Sequence, residues 1–149
     1  ISHFEDALKA YVILTAYIPM LMDTGGNSGS QASVTVIRSL SLHELSFSDI
    51  FRVVWKEFRV AFLCSFTLAL VYFLKLMLFD GTGIYVALVI CITLILTVFI
   101  AKIVGCIFPM AAKKIGFDPA VMASPFITTI VDAISLLIYF NIASVVLHI

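Results

Sequence analysis

The sequence predicts an all-α fold, a polytopic bundle of transmembrane helices with four visible spans. Three observations carry this expectation. Hydrophobic residues make up 62% of the 149 positions, charged residues only 12%, and mean hydropathy is +1.17. A soluble domain is nearer half apolar and a quarter charged, so these few charges cannot cover a water-facing surface and lipid must cover much of it. The apolar runs approach the roughly 20 residues that cross a hydrocarbon core of about 30 Å. Strand alternation is absent, and a backbone in lipid must satisfy its own polar groups, which leaves helices.

The spans are expected at about residues 7–40, 60–78, 84–109 and 120–147, so that residues 1–149 form one transmembrane domain. The first is unusual. An apolar stretch to Met22 passes into Asp23-Thr-Gly-Gly-Asn-Ser-Gly-Ser-Gln31, then resumes as Ala-Ser-Val-Thr-Val-Ile. Pro19 is expected to kink this helix and free carbonyls. Between the first two spans lie Arg38, Arg52, Lys56 and Arg59, and the stretch 41–56 has the rhythm of a short interfacial helix. Lys113 and Lys114 precede Gly116-Phe-Asp-Pro119 between the last two spans, whereas Asp80-Gly-Thr-Gly83 makes a turn with only Lys75 nearby. The positive-inside rule puts connections 41–59 and 110–119 in the cytoplasm, and the 75–83 turn and both visible ends outside. That arrangement fits an even number of spans, and a cytoplasmic domain would need one more before Ile1. Lys102, near the cytoplasmic end of its span, is expected to snorkel.

Nine basic and nine acidic residues cancel, so no charge excess points to nucleic acid. Cys64, Cys91 and Cys106 lie in apolar runs without a CxxC spacing and read as small hydrophobes. His3, His43 and His148 lack metal-ligand spacing and read as interfacial polar residues. The aromatics Tyr11, Tyr17, Tyr72, Tyr85 and Tyr139, with Trp55, include interface anchors. The glycine-rich stretch has no P-loop lysine, and no nucleophile–base set can be placed, so no enzyme is expected. The chain starts at Ile1 without an initiator Met or a signal-peptide n-region, which reads as a piece of a longer protein.

Ionisable groups inside a span are costly and suggest function. Asp132 sits several residues inside the last span with no Lys, Arg or His within one or two turns. Ser124, Thr128, Asp132, Ser135 and Tyr139 recur at helical spacing and share a face, expected to look onto a bundle interior or a water-filled path. In the first span, Asp23, Asn27, Gln31 and Thr35 fall four apart. Gly25 and Gly29 form a GxxxG extended by Ser33, and Gly26 pairs with Ser30, spacings that let helices approach closely. Bulk at Gly25 or Gly29 is expected to cost the protein its dimer. Oxygen-only donors suit a hard cation, and Mg2+, which dehydrates reluctantly, can be held through its water shell. A neutral Asp132 serving only as an interhelical hydrogen bond is the alternative.

At this point the residues resemble a family. Pro19 to Gln31 is similar to the P-x5-GGNxGxQ signature of the MgtE magnesium channels. Phe117-Asp118-Pro119-Ala120, Ser124-Pro125 and Thr128-Thr129-x-x-Asp132 resemble that family's last transmembrane helix. The order matches, two spans lie between the motifs, and the resemblance covers essentially the whole chain. It implies a homodimer of five-helix membrane domains in a prokaryotic plasma membrane, with a pore on the dimer axis lined by the first and last spans seen here. It implies that Asp132 binds hydrated Mg2+ with backbone carbonyls at Thr128, that Asn27 lines the pore, and that Asp118 meets a further ion at the cytoplasmic mouth. Two Asp132 carboxylates would converge on the axis, and a divalent cation relieves their repulsion.

The family's first membrane helix and its cytoplasmic regulatory domains, including CBS domains, have no counterpart in these residues. Asp23 stands where some relatives carry glycine, and Ser124 where some carry an amide; the extra carboxylate adds a candidate ion site. Three functional readings follow: a homodimeric Mg2+ channel or facilitator, a secondary transporter coupling divalent cations to protons or sodium, and a non-transporting helical membrane subunit. Oxygen donors admit Mn2+, Co2+ and Ca2+ as well.

Overall fold

A computed structural model describes the backbone of residues 2–148 and the side chains of 9–148, so the expectation for His3 lies outside the described side chains. The fold is all-α. Four long helices follow in order: α1 (Ser2–Ser41), α2 (Ile50–Lys75), α3 (Ile84–Lys114) and α4 (Ser124–Leu147). Single 3-10 turns, Phe47–Asp49 and Pro119–Met122, precede α2 and α4, and a π turn, Leu76–Asp80, extends α2.

Three helical stretches, Phe47–Asp80, Ile84–Lys114 and Ser124–Leu147, are long and apolar enough to cross a membrane. The chain is a multi-pass membrane protein. Helix α1 differs. Its 40 residues reach about 60 Å at 1.5 Å per residue, ample for a crossing, but its polar middle keeps it below that apolar level. It remains one helix through Pro19.

Helix α3 is apolar around its whole circumference, the pattern of a membrane span, with Leu88, Ile92 and Leu96 exposed along one face and most of the rest packed inward. Val89, Ile90, Leu94, Val98 and Ala101 are fully buried along it. It packs against all three other long helices, with α1 and α4 also packed on each other. Helix α2 packs on α3 and has at most marginal contact with α1 and α4. The outer face of α2, with Phe51, Trp55, Phe62, Leu63, Phe66 and Leu70, is exposed and suited to lipid.

The two ends of the bundle are distinct. At one end, Lys75 Nζ lies 2.6 Å from Asp80 Oδ2, and the Tyr17 hydroxyl donates to the same carboxylate. Gly81 and Gly83 close that turn at φ +58° and +78°, values that cost glycine nothing. At the other end, His43, Phe47, Lys113 and Lys114 line one depression, so the two basic connections meet there as the charge pattern expects.

Several boundaries and side chains depart from expectation. Helix α2 starts at Ile50, ten residues before the apolar run at 60, and takes the place of a separate interfacial helix. Helix α3 continues to Lys114, and α4 begins at Ser124 behind its 3-10 turn. Tyr139 is no interface anchor: it is 1% exposed, and its hydroxyl donates to the Leu14 carbonyl at 2.8 Å. Lys102 does not snorkel. It is 3% exposed, with Nζ 3.7 Å from Glu57 Oε2 and 3.1 Å from Gln31 Oε1. A lysine that has ion-pair and amide partners inside the bundle need not extend to water.

Candidate functional site

The candidate site is an open cleft of about 280 Å³ between α1 and α4, lined by Met22, Asp23, Gly26, Asn27, Thr128 and Asp132. Helical spacing builds both walls. On α1, Asp23 and Asn27 are one turn apart, and with Gln31 and Thr35 they form the exposed stripe expected from their four-residue steps. On α4, Thr128 and Asp132 are one turn apart and half-buried. The walls come close because Gly26 has no side chain. A Cβ there would stand 3.0 Å from Thr128 Cγ2 and 3.6 Å from Asp132 Oδ1.

The neighbouring glycines bring α1 onto α3 and α4 within the same chain. A Cβ on Gly25 would meet Thr97, Val131 and Ser135, the last at 3.2 Å from Oγ. A Cβ on Gly29 would meet Ile127 and the Ala101 carbonyl oxygen at 3.1 Å. Gly105 of α3 lies directly against the Gly29 carbonyl. Gly25 and Gly29 therefore contact their own bundle, and bulk there disturbs the fold of one chain before any contact between two. Sequence reading missed Gly105, whose lone position in an apolar helix carries no spacing signal.

The α4 stripe divides. Thr128 and Asp132 line the cleft, while Ser135 and Tyr139 turn into the packed interior, where Ser135 Oγ donates to the Val131 carbonyl at 2.6 Å. The Thr128 and Thr129 hydroxyls both donate to the Pro125 carbonyl, at 3.0 and 2.9 Å. Gln31, though on the α1 stripe, has its amide oxygen engaged by Lys102. Asp118 lies apart from the cleft. It caps the 3-10 turn, its Oδ1 accepting from the Ala120 N–H at 3.0 Å, and its side chain is exposed. That turn is fastened to α1 by Ser33 Oγ, which donates to the Met122 carbonyl at 2.7 Å.

The cleft thus gathers two carboxylates, a carboxamide and a threonine, and none of its lining residues is cationic. Beside the Met22 thioether, its polar side chains all present oxygens, which suits a hard cation. Among the described residues, no group of three or more His, Cys, Asp or Glu is placed to hold a metal ion. One chain therefore offers a partial wall of oxygen donors, a surface better matched to an ion that keeps its water than to a stripped one.

Comparison with known proteins agrees with this chemistry. Residues 18–142 match the family model of MgtE, described as a divalent cation transporter. The chain is 38% identical to the magnesium transporter MgtE of Bacillus subtilis (strain 168) over 99% of its own length and 33% of that protein's. It is 36% identical to the protein of the same name from Thermus thermophilus, over 97% of the chain and 32% of the relative. For that of Enterococcus faecalis the identity is 33%, over the same shares of 97% and 32%. The chain spans about a third of the length of these curated relatives.

Proposed function

The chain belongs to the MgtE family of divalent cation transporters, and from that premise we propose that it moves hydrated Mg2+ across the cell membrane through a pore formed between two copies of itself. In this reading α1 and α4 of each copy line the pore, and residues 1–149 act as its transmembrane pore domain. Any control by cytoplasmic domains would rest with chain outside these residues.

The observation that carries the proposal is the α1–α4 cleft, where Asp132, Asn27, Thr128 and Asp23 present oxygen donors on one open face. Facing a second copy across a two-fold axis would pair the two walls, since an isologous interface sets each residue opposite its own counterpart. Two Asp132 carboxylates then supply the charge that attracts a divalent ion, and the ion in turn relieves their repulsion. Asn27 and the carbonyls near Thr128 accept hydrogen bonds from the ion's water shell. Mg2+ favours this mode because it keeps several waters where dedicated protein ligands are few. Outer-sphere contacts also let the ion leave again, which conduction requires. Asp23 adds negative charge to the same cleft. Asp118, at the far side of the 3-10 turn, retains a free carboxylate oxygen for an ion at the cytoplasmic mouth. Gln31 and Ser135 act in packing.

The test is Mg2+ flux into liposomes containing the intact protein, wild type against Asp132→Ala. Flux lost in the variant, with the dimer preserved on a sizing column, supports the pore. Equal flux in both removes Asp132 from the ion path. Flux that follows an imposed proton or sodium gradient steeply would instead favour coupled transport.

A further inference from the structure

We propose that the groove between the last turns of α1 and the first half of α2 binds the headgroup of an anionic phospholipid. The groove holds about 290 Å³ and is separate from the α1–α4 cleft. Its α2 wall carries Arg52, Lys56 and Arg59, spaced four and three residues apart and so on one helical face. Glu57 is the only acid among the lining residues, and it is committed to Lys102 at 3.7 Å. Arg52 is anchored by Asp49 Oδ1 at 2.8 Å, and among the described residues Lys56 and Arg59 have no ion-pair partner. The groove therefore carries an excess of positive charge. Ser39 of α1 adds a hydroxyl to the wall.

Position selects a lipid as the source of the anion. The groove shares Leu45 with the depression formed by His43, Lys113 and Lys114, which places it at the end of the bundle where the basic connections meet water. Trp55, at its rim and 60% exposed, stacks on Phe58 at 5.7 Å, and the exposed rings of Phe62 and Phe66 continue along α2. Tryptophan favours the headgroup level of a bilayer, and the aromatic track beyond it offers a bed for acyl chains. Guanidinium groups match phosphate oxygens in a planar fork, and basic pockets between transmembrane helices at the cytoplasmic face take anionic headgroups. The inference stands independently of the ion pathway.

The experiment reconstitutes the protein in nanodiscs of equal parts phosphatidylglycerol and phosphatidylcholine and counts retained lipids by native mass spectrometry. Phosphatidylglycerol should be enriched, and the enrichment should fall roughly fivefold for each cation removed in Lys56→Gln and Arg59→Gln. The charge-conserving Lys56→Arg should keep it. Equal retention of both lipids by the wild type overturns the proposal, as does enrichment unchanged in the doubly neutralised protein. Displacement of phosphatidylglycerol by inorganic phosphate as readily as by soluble glycerophosphoglycerol would assign the groove to a free anion and overturn it too.

Discussion

Lys102 of α3 donates a hydrogen bond to Gln31 of α1 at 3.1 Å, joining positions 71 residues apart. The same ammonium stands 3.7 Å from Glu57 of α2, so one buried lysine ties three helices. Removing it leaves a carboxylate that is 9% exposed without its counter-charge. Breaking a buried pair from one side costs about 3–5 kcal/mol, while replacing both partners with apolar residues is often close to neutral. Lys102→Met should therefore lower stability by about 3 kcal/mol, and adding Glu57→Met should recover most of that loss. Unfolding of the two proteins in mixed micelles measures the difference, and equal destabilisation by both would mean the pair is not coupled.

Asp132 and Asp23 share a cleft but differ in exposure, half-buried against exposed, and the expected consequences of neutralising them differ in the same sense. Asp132→Asn keeps the shape of the side chain yet should abolish Mg2+ flux, because the amide lacks the charge. Asp23→Asn should weaken apparent Mg2+ affinity only about three- to tenfold, as a solvent-screened charge contributes on the order of 1 kcal/mol. Mg2+-dependent protection in thermal melts gives the affinities. A larger effect at Asp23 than at Asp132 would reverse their assigned ranks.

Gly26 and Gly29 separate two roles of one motif. Gly26→Val would press methyls on the Thr128 side chain and beside Asp132 and should block flux with a smaller loss of stability than Gly29→Val, since none of the atoms nearest it is backbone. Gly29→Val would press on Ile127 and the Ala101 carbonyl and should destabilise the fold by about 1–3 kcal/mol, as overpacking does. Read side by side, flux should fall further than melting temperature in Gly26→Val and the reverse in Gly29→Val; equal falls of both in the two variants would merge the roles.

Tyr139→Phe deletes the hydroxyl that reaches the Leu14 carbonyl at 2.8 Å without changing the ring's packing. The expected loss is about 1 kcal/mol of stability, the net worth of a neutral hydrogen bond, with ion flux retained. Measured flux below half of wild type would place this bond in the transport machinery instead.

The helices were legible because a lipid-exposed chain advertises itself through hydropathy, and the α1 stripe because four-residue steps survive translation into a helix unchanged. What escaped were features set by partners distant in sequence. Lys102 looks like any lysine near a span end until Glu57 and Gln31 arrive from other helices. Ser135 and Tyr139 share a periodicity with Asp132, yet the wheel cannot tell which edge of a stripe faces a groove and which faces α1 and α3. The GxxxG spacing announces close approach without naming the approaching helix, here α3 and α4 of the same chain. Helix α2 also begins early, since Ile50 to Arg59 alternates charge with apolar bulk and carries no continuous hydropathy signal.

The central placement of α3 bears on how the protein is made. Helices α1 and α2 leave the ribosome before α3, but they hardly touch each other. Until α3 is inserted between them, Gln31 and Glu57 have no Lys102 to meet, and the flat glycine face of α1 has nothing to close upon. Assembly of these helices must therefore wait for α3 to be synthesised, and a nascent chain arrested after residue 83 should hold α1 and α2 as separate passengers in the bilayer, open to capture by quality-control proteases until synthesis resumes.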